Sequence, residues 1–128
     1  MGQYRIAIAT SDGQTVDLHF GHCRRFTIVC VDQDSGSWEI EQVRCVEGPS
    51  REGYGHDPAY LEQVSQMLSD CSYLMTSRIG PRPSGVLQRH GISVLQISMP
   101  IRPAVEKLNE YRVDLSKRKN TNQKGDQK

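Results

Sequence analysis

The chain has 128 residues and a mass of 14.5 kDa, one domain's worth, and a chain of this size buries roughly two-thirds of its unfolded surface without disulfide staples. Its 36% hydrophobic and 24% charged residues do not describe a disordered polymer, and 6% aromatic leaves few rings for a base-stacking platform. The net charge of +1 divides into +4 over residues 116–128 and −3 over residues 1–115, and the mildly acidic globular part argues against a broad nucleic-acid footprint. No apolar run nears the roughly 18–20 residues of a membrane span, and Met1-Gly2-Gln3-Tyr4-Arg5 lacks a signal-peptide layout, so the expectation is a soluble cytoplasmic protein.

Tyr4-Arg5-Ile6-Ala7-Ile8-Ala9-Thr10 is short and apolar, closes on the turn signal Ser11-Asp12-Gly13, and reads as a central strand. Phe26 to Val31 reads as a second strand ending at Asp32-Gln33-Asp34-Ser35-Gly36. Trp38 to Arg44 alternates, which places Trp38 and Ile40 inward and Glu39 and Glu41 outward. The short polar link between these two strands favours an antiparallel hairpin. Residues 47–57 form a Gly/Pro/charge-rich loop, and Asp57-Pro58 offers an N-cap with proline at the first helical position. Leu61, Val64, Leu68 and Cys71 then make one apolar helical stripe.

Tyr73 to Thr76 reads as a buried strand, and Ser77 to Gly85 as a loop. A short helix follows through Val86 and Leu87, with Gly91 placed as its C-terminal cap. Ile92 to Ile97 is a fifth strand, and Pro103 opens a last helix that buries Val105, Leu108 and Tyr111 or Arg112. The order β-β-β-α-β-α-β-α puts the last two strands parallel through right-handed crossovers. The expected architecture is α/β: a mixed five-stranded sheet with helices on both faces, three layers with the topology of the ribonuclease H-like fold. Residues 1–115 form the domain. Residues 116–128 carry five basic side chains against Asp126 and no hydrophobic residue, a tail read as solvated and disordered.

Chemistry concentrates in Val16-Asp17-Leu18-His19-Phe20-Gly21-His22-Cys23-Arg24-Arg25-Phe26. Two imidazoles and a thiol, all borderline or soft ligands, fall within five positions. Gly21 allows a sharp turn between them, and His19 and His22 can project to one side of a single helical turn. The competing reading is a hydrogen-bonded loop tied down by His19; Phe20 is read as a core plug under either. The other cysteines are free thiols, with Cys30 and Cys71 packed in apolar patterns. Arg78-Ile79-Gly80-Pro81-Arg82-Pro83-Ser84-Gly85 is a structural loop or an anion contact; it lacks a P-loop's Gly-Lys-Ser/Thr end. His56 and His90 read as solvated or capping residues.

Catalysis is poorly supported. The central strand carries no Asp or Glu, whereas two-metal hydrolysis needs converging carboxylates, and no GxSxG elbow occurs. A mononuclear metal-dependent hydrolase and a nucleic-acid or partner-binding adaptor using the basic tail stand as the alternatives from other classes.

Ile6-Ala7-Ile8-Ala9-Thr10-Ser11-Asp12-Gly13 with Val16-Asp17-Leu18-His19-Phe20-Gly21-His22 and Phe26 resembles the signature of the dinitrogenase iron–molybdenum cofactor biosynthesis family. Leu68-Ser69-Asp70-Cys71, Arg78-Ile79-Gly80-Pro81, Leu87 and Gly91-Ile92 resemble its second half, so the likeness spans about residues 4–112. It implies a ribonuclease H-like, non-enzymatic domain of nitrogen fixation that carries an iron–sulfur precursor cluster or iron–molybdenum cofactor. The implied partners are nitrogenase cofactor assembly proteins or apo-dinitrogenase; monomer and homodimer both stay open. His19 matches the histidine implicated in cofactor contact, and His22 a frequent second one. Cys23, by proximity, is added as an assisting ligand, and Arg24, Arg25 and Arg78 as charge-balancing contacts.

Overall fold

The computed structural model describes residues 2–46 and 58–126, the segment 118–126 as backbone alone. The first strand, β1 (Gln3–Ala9), is the centre of a five-stranded sheet. On one side it pairs antiparallel with β3 (Arg25–Asp32), which pairs antiparallel with the edge strand β4 (Trp38–Cys45). On the other side it pairs parallel with β5 (Tyr73–Thr76), and β5 with β6 (Ser93–Gln96). The sheet order is β4-β3-β1-β5-β6. A two-stranded ribbon of β2 (Thr15–Val16) and β7 (Met99–Pro100) is additional; two-residue strands show no periodicity, so the sequence does not announce them.

The alternation of β1 fills two cores. Ala7 and Ala9 face Phe26, Ile28 and Leu74 together with Leu61, Val64 and Leu68 of helix α1 (Pro58–Met67) and its exit turn, and with Leu87 of α2 (Pro81–Arg89). Tyr4, Ile6 and Ile8 face Val29, Val31, Met75 and the Ile101, Ala104, Val105 and Leu108 stripe of α3 (Ile101–Asp126). Helices therefore cover both faces of a mixed sheet. The expected N-cap Asp57, His56 and the loop 47–57 lie outside the described residues.

Three local expectations are corrected. Helix α2 begins at Pro81, not after Gly85. Prolines at the first and third helical positions cost nothing there, because those N–H groups have no intrahelical acceptor. Ile40 faces α3's side yet is 51% exposed, because β4 is the sheet edge and α3 lies over the central strands. The pairing also slips between Ile28 and Val29: Val29 faces Ile40 while Ile28 faces Gln42, leaving Glu41 as an extra residue. The third concerns the last helix, which starts at Ile101 rather than Pro103. Its inward-facing late position is the half-buried Arg112, whose guanidinium lies 4.0 Å from the Tyr4 ring centroid and donates to Tyr73 Oη at 2.9 Å; Tyr111 is 57% exposed. The backbone of α3 continues to Asp126, so the expected division at residue 115 coincides with no break in helix. Gly91 adopts φ +83° after α2, as a C-terminal cap requires.

Candidate functional site

The site lies at one end of the sheet, beyond the carboxyl ends of the parallel strands β1 and β5. From β1 the chain goes to one side for β3 and β4 and to the other for β5 and β6, so β1 marks the topological switch point, the place where open α/β sheets bind ligands.

The loop leaving β1 is held by its own carboxylates. Asp12 accepts from the amides of Gln14 (2.9 Å) and Thr15 (3.0 Å) and from the Thr10 hydroxyl, and these hydrogen bonds hold its carboxyl below the usual range. Asp17 accepts from the amide and hydroxyl of Ser11. Both acids are engaged in shaping the loop. Leu18 then crosses to β5: its carbonyl accepts from Ser77 N (3.0 Å) and the buried Thr76 hydroxyl (2.8 Å). The Phe20 amide donates to the Arg78 carbonyl at 2.8 Å, and His19 and Arg78 pair as a parallel bridge. Arg78, 59 positions downstream of His19, is thereby set beside it.

Phe20–His22 is a single 3-10 turn with His19 at its N-cap. The Phe20 ring is 1% exposed and packs 6.1 Å from Phe26 and 6.3 Å from Tyr60, centroid to centroid. With Phe20 plugged into the core, the residues on either side of it turn outward. His19 and His22 are exposed, their rings stacked at 5.7 Å between centroids and 18° between planes. The His19 side chain makes no capping bond to the turn, so the tie expected of it in the bland reading is made by backbone instead. Gly21 does not have a left-handed backbone, so the φ of this turn is one that other residues also adopt.

Cys23 is placed differently from the histidines. Its side chain is fully buried against the α1 and α2 core, its thiol donates to the Arg25 carbonyl at 3.2 Å, and burial pushes its pKa up to about 12. Its carbonyl is held by the Tyr60 hydroxyl at 2.9 Å. The thiol is turned into the core and away from His22 although the two are adjacent in sequence: the three-residue period of the 3-10 turn sends His19 and His22 outward and Phe20 and Cys23 inward. Among the described residues, no three His, Cys, Asp or Glu side chains converge as a metal site. The His pair can offer two nitrogen ligands and leave the remaining positions to whatever it binds.

Beside the turn opens a cavity of about 430 Å³, bordered by His22, Arg24, Arg25, Thr10, Ser11 and Val43. Arg25 is exposed and Arg24 half-buried, so this wall is cationic. The cavity was not legible in the sequence, since Val43 reaches it only through the β3–β4 pairing. The Gly80 loop contributes little to anion binding: Pro81 and Pro83 lack amide protons, and Ser84 N donates to the Gly80 carbonyl.

No helix among the described residues is long and apolar enough to cross a membrane. The fold is similar to that of the apo orange protein of Desulfovibrio gigas (TM-score 0.54, 23% identity, 83% of this chain and 87% of that one) and of a putative dinitrogenase of Methanocaldococcus jannaschii (TM-score 0.51, 12% identity, 86% and 91%). In sequence, the chain is 33% identical over 107 residues to the FeMo cofactor biosynthesis protein NifB of Frankia alni, covering 80% of this chain and 20% of the relative. It is 36% identical over 87 residues to that of Herbaspirillum seropedicae, covering 68% and 16%. The chain therefore spans about a fifth of the length of these relatives. The model of the dinitrogenase iron-molybdenum cofactor family matches residues 2–111, and the chain belongs to that family.

Proposed function

We propose that this chain is a non-catalytic carrier that holds an iron–sulfur or iron–molybdenum type cluster at the His19–His22 turn and passes it to nitrogenase cofactor assembly proteins or apo-dinitrogenase in the cytoplasm. The observation that carries the reading is the exposed, stacked imidazole pair held outward by the buried Phe20. His19 and His22 supply nitrogen ligands. Arg24 and Arg25 at the cavity wall, and Arg78 beside His19, balance the charge of a sulfide-rich cargo. Few protein ligands suit a carrier, because a cargo enclosed on all sides dissociates slowly. The engaged carboxylates Asp12 and Asp17 weigh against a hydrolase reading. We also assign the fold to the ribonuclease H-like class, on the support of the sheet order and the reversed direction of β3.

Anaerobic titration with an iron–sulfur cluster donor, read by iron absorption and gel filtration, tests the site. His19→Ala/His22→Ala is expected to lower cluster affinity at least tenfold while leaving thermal unfolding unchanged. Undiminished binding by the double variant refutes the assignment.

A further inference from the structure

Strand β5 closes on a buried hydroxyl. Tyr73, Leu74 and Met75 are followed by Thr76, which is 0% exposed, at a position where valine would have the same shape and a similar preference for a strand. Burying a hydroxyl there is unfavourable unless its proton is used. It is used outside the strand. The Thr76 hydroxyl lies 2.8 Å from the Leu18 carbonyl oxygen, 58 positions earlier in the chain, and 3.3 Å from the Arg78 carbonyl oxygen, two positions later. One proton facing two acceptors makes a three-centre bond, dominated by the shorter contact.

Those two carbonyls belong to the two sides of the His19–Arg78 bridge. The Leu18 carbonyl, just before His19, also accepts from Ser77 N at 3.0 Å, and the Arg78 carbonyl also accepts from Phe20 N at 2.8 Å. The hydroxyl therefore joins the run that carries His19 to the run that carries Arg78, and it does so from a strand held between β1 and β6. Beyond Arg78, the Ile79 amide donates to the Gln96 side chain at 3.2 Å, and Gln96 is the β6 partner of Thr76. Both ties on the Arg78 run start from this one cross-strand pair.

We infer that Thr76 is a positioning residue of the His19–His22 site: its hydroxyl clasps the Leu18 and Arg78 carbonyls and so fixes where the His19 ring stands against His22 and beside Arg78. Its purpose rests on the carrier reading; its geometry rests on the hydrogen bonds alone. The two backbone bonds of the bridge keep the runs adjacent, and a contact shared between their acceptors limits how far one run can shift along the other. A site with few protein ligands gains from having them ordered in advance, since ordering completed before binding does not subtract from affinity.

Thr76→Val removes the proton and keeps the shape, whereas Thr76→Ser keeps the proton. The neighbouring Ser77 hydroxyl, buried and without a hydrogen bond to any described residue, gives the control Ser77→Ala. Two readouts need no cargo. The stacked His19 and His22 rings shift one another's ring protons. At one fixed pH these NMR shifts are expected to move towards free-histidine values in Thr76→Val and to stay parental in Thr76→Ser and Ser77→Ala. The Phe20 amide is expected to exchange with deuterium about tenfold faster in Thr76→Val, well beyond any change in the β1–β3 ladder amides, which report global unfolding. In anaerobic titration with the cluster donor, affinity is expected to fall about three- to tenfold in Thr76→Val, the worth of one neutral hydrogen bond, and to recover in Thr76→Ser. Unmoved ring shifts with unchanged Phe20 exchange, or a Thr76→Ser chain that behaves like Thr76→Val, overturns the proposal. So does undiminished cluster affinity in a Thr76→Val chain whose rings have moved. A parent chain that takes up no cluster refutes the carrier reading instead, while the two cargo-free readouts still decide the clasp.

Discussion

Replacing Phe20 by alanine separates the plug from the ligands it displays. The ring is 1% exposed, lies within van der Waals range of the Phe26 and Tyr60 rings and belongs to the core built on α1 and α2. Truncating a phenylalanine in such a place costs about 3–5 kcal/mol, transfer and cavity terms together. A 128-residue domain holds roughly 6–19 kcal/mol in all, so Phe20→Ala is expected to fold, with a urea midpoint well below that of the parent and an unchanged m-value. Phe20→Leu retains most of the apolar volume and is expected to lose about 1–2 kcal/mol. Trp38 packs against the opposite core, where Arg102 lies 5.6 Å from its ring, so its fluorescence follows global unfolding at a distance from the substitution. Cluster affinity should fall in Phe20→Ala under conditions where it is fully folded, because His19 and His22 lose the anchor between them. A loss below 1 kcal/mol, or full stability loss with undiminished cluster binding, refutes the reasoning that one buried ring poises both histidines.

Two further outcomes follow from other ionisable groups. Asp70 accepts from Arg44 at 2.6 and 2.9 Å, which holds its carboxyl below the usual range. A depressed folded value contributes stability above the unfolded pKa of about 3.9 and loses it as pH falls through the folded one. Asp70 is 45% exposed, so Asp70→Asn should cost only about 1 kcal/mol at neutral pH and flatten the acid arm of a stability profile below pH 4. Cys23 and Cys71 are pushed up to about 12 by burial. Their contribution is complete below the unfolded thiol value of about 8.5 and drains away as pH climbs from there. Iodoacetamide labelling mapped by mass spectrometry should mark exposed Cys45 first and reach Cys23 and Cys71 only on unfolding; early labelling of Cys23 would show its thiol is not enclosed.

The sequence by itself carried the mixed α/β architecture, because β1, β3, β5 and the apolar positions of α1 have periods that only one burial pattern satisfies: Leu61 and Val64 are buried on α1, and Leu68 and Cys71, read as part of the same helical stripe, are buried in the turn and link beyond its end at Met67. It also marked the HFGH segment, where unlike residue types crowd together, and it correctly read Phe20 as the plug. Tertiary structure decided what local pattern cannot express. Ile40 alternates like a buried residue, yet the strand holding it became an edge. Cys23 sits next to His22 in the chain but on the other side of the turn, and Arg78 reaches His19 only through pairing between the loops that follow β1 and β5. Burial periodicity is a local property written residue by residue. Which strand ends as neighbour, edge or cavity wall depends on contacts between distant segments, and these arise only when the sheet closes on its helices.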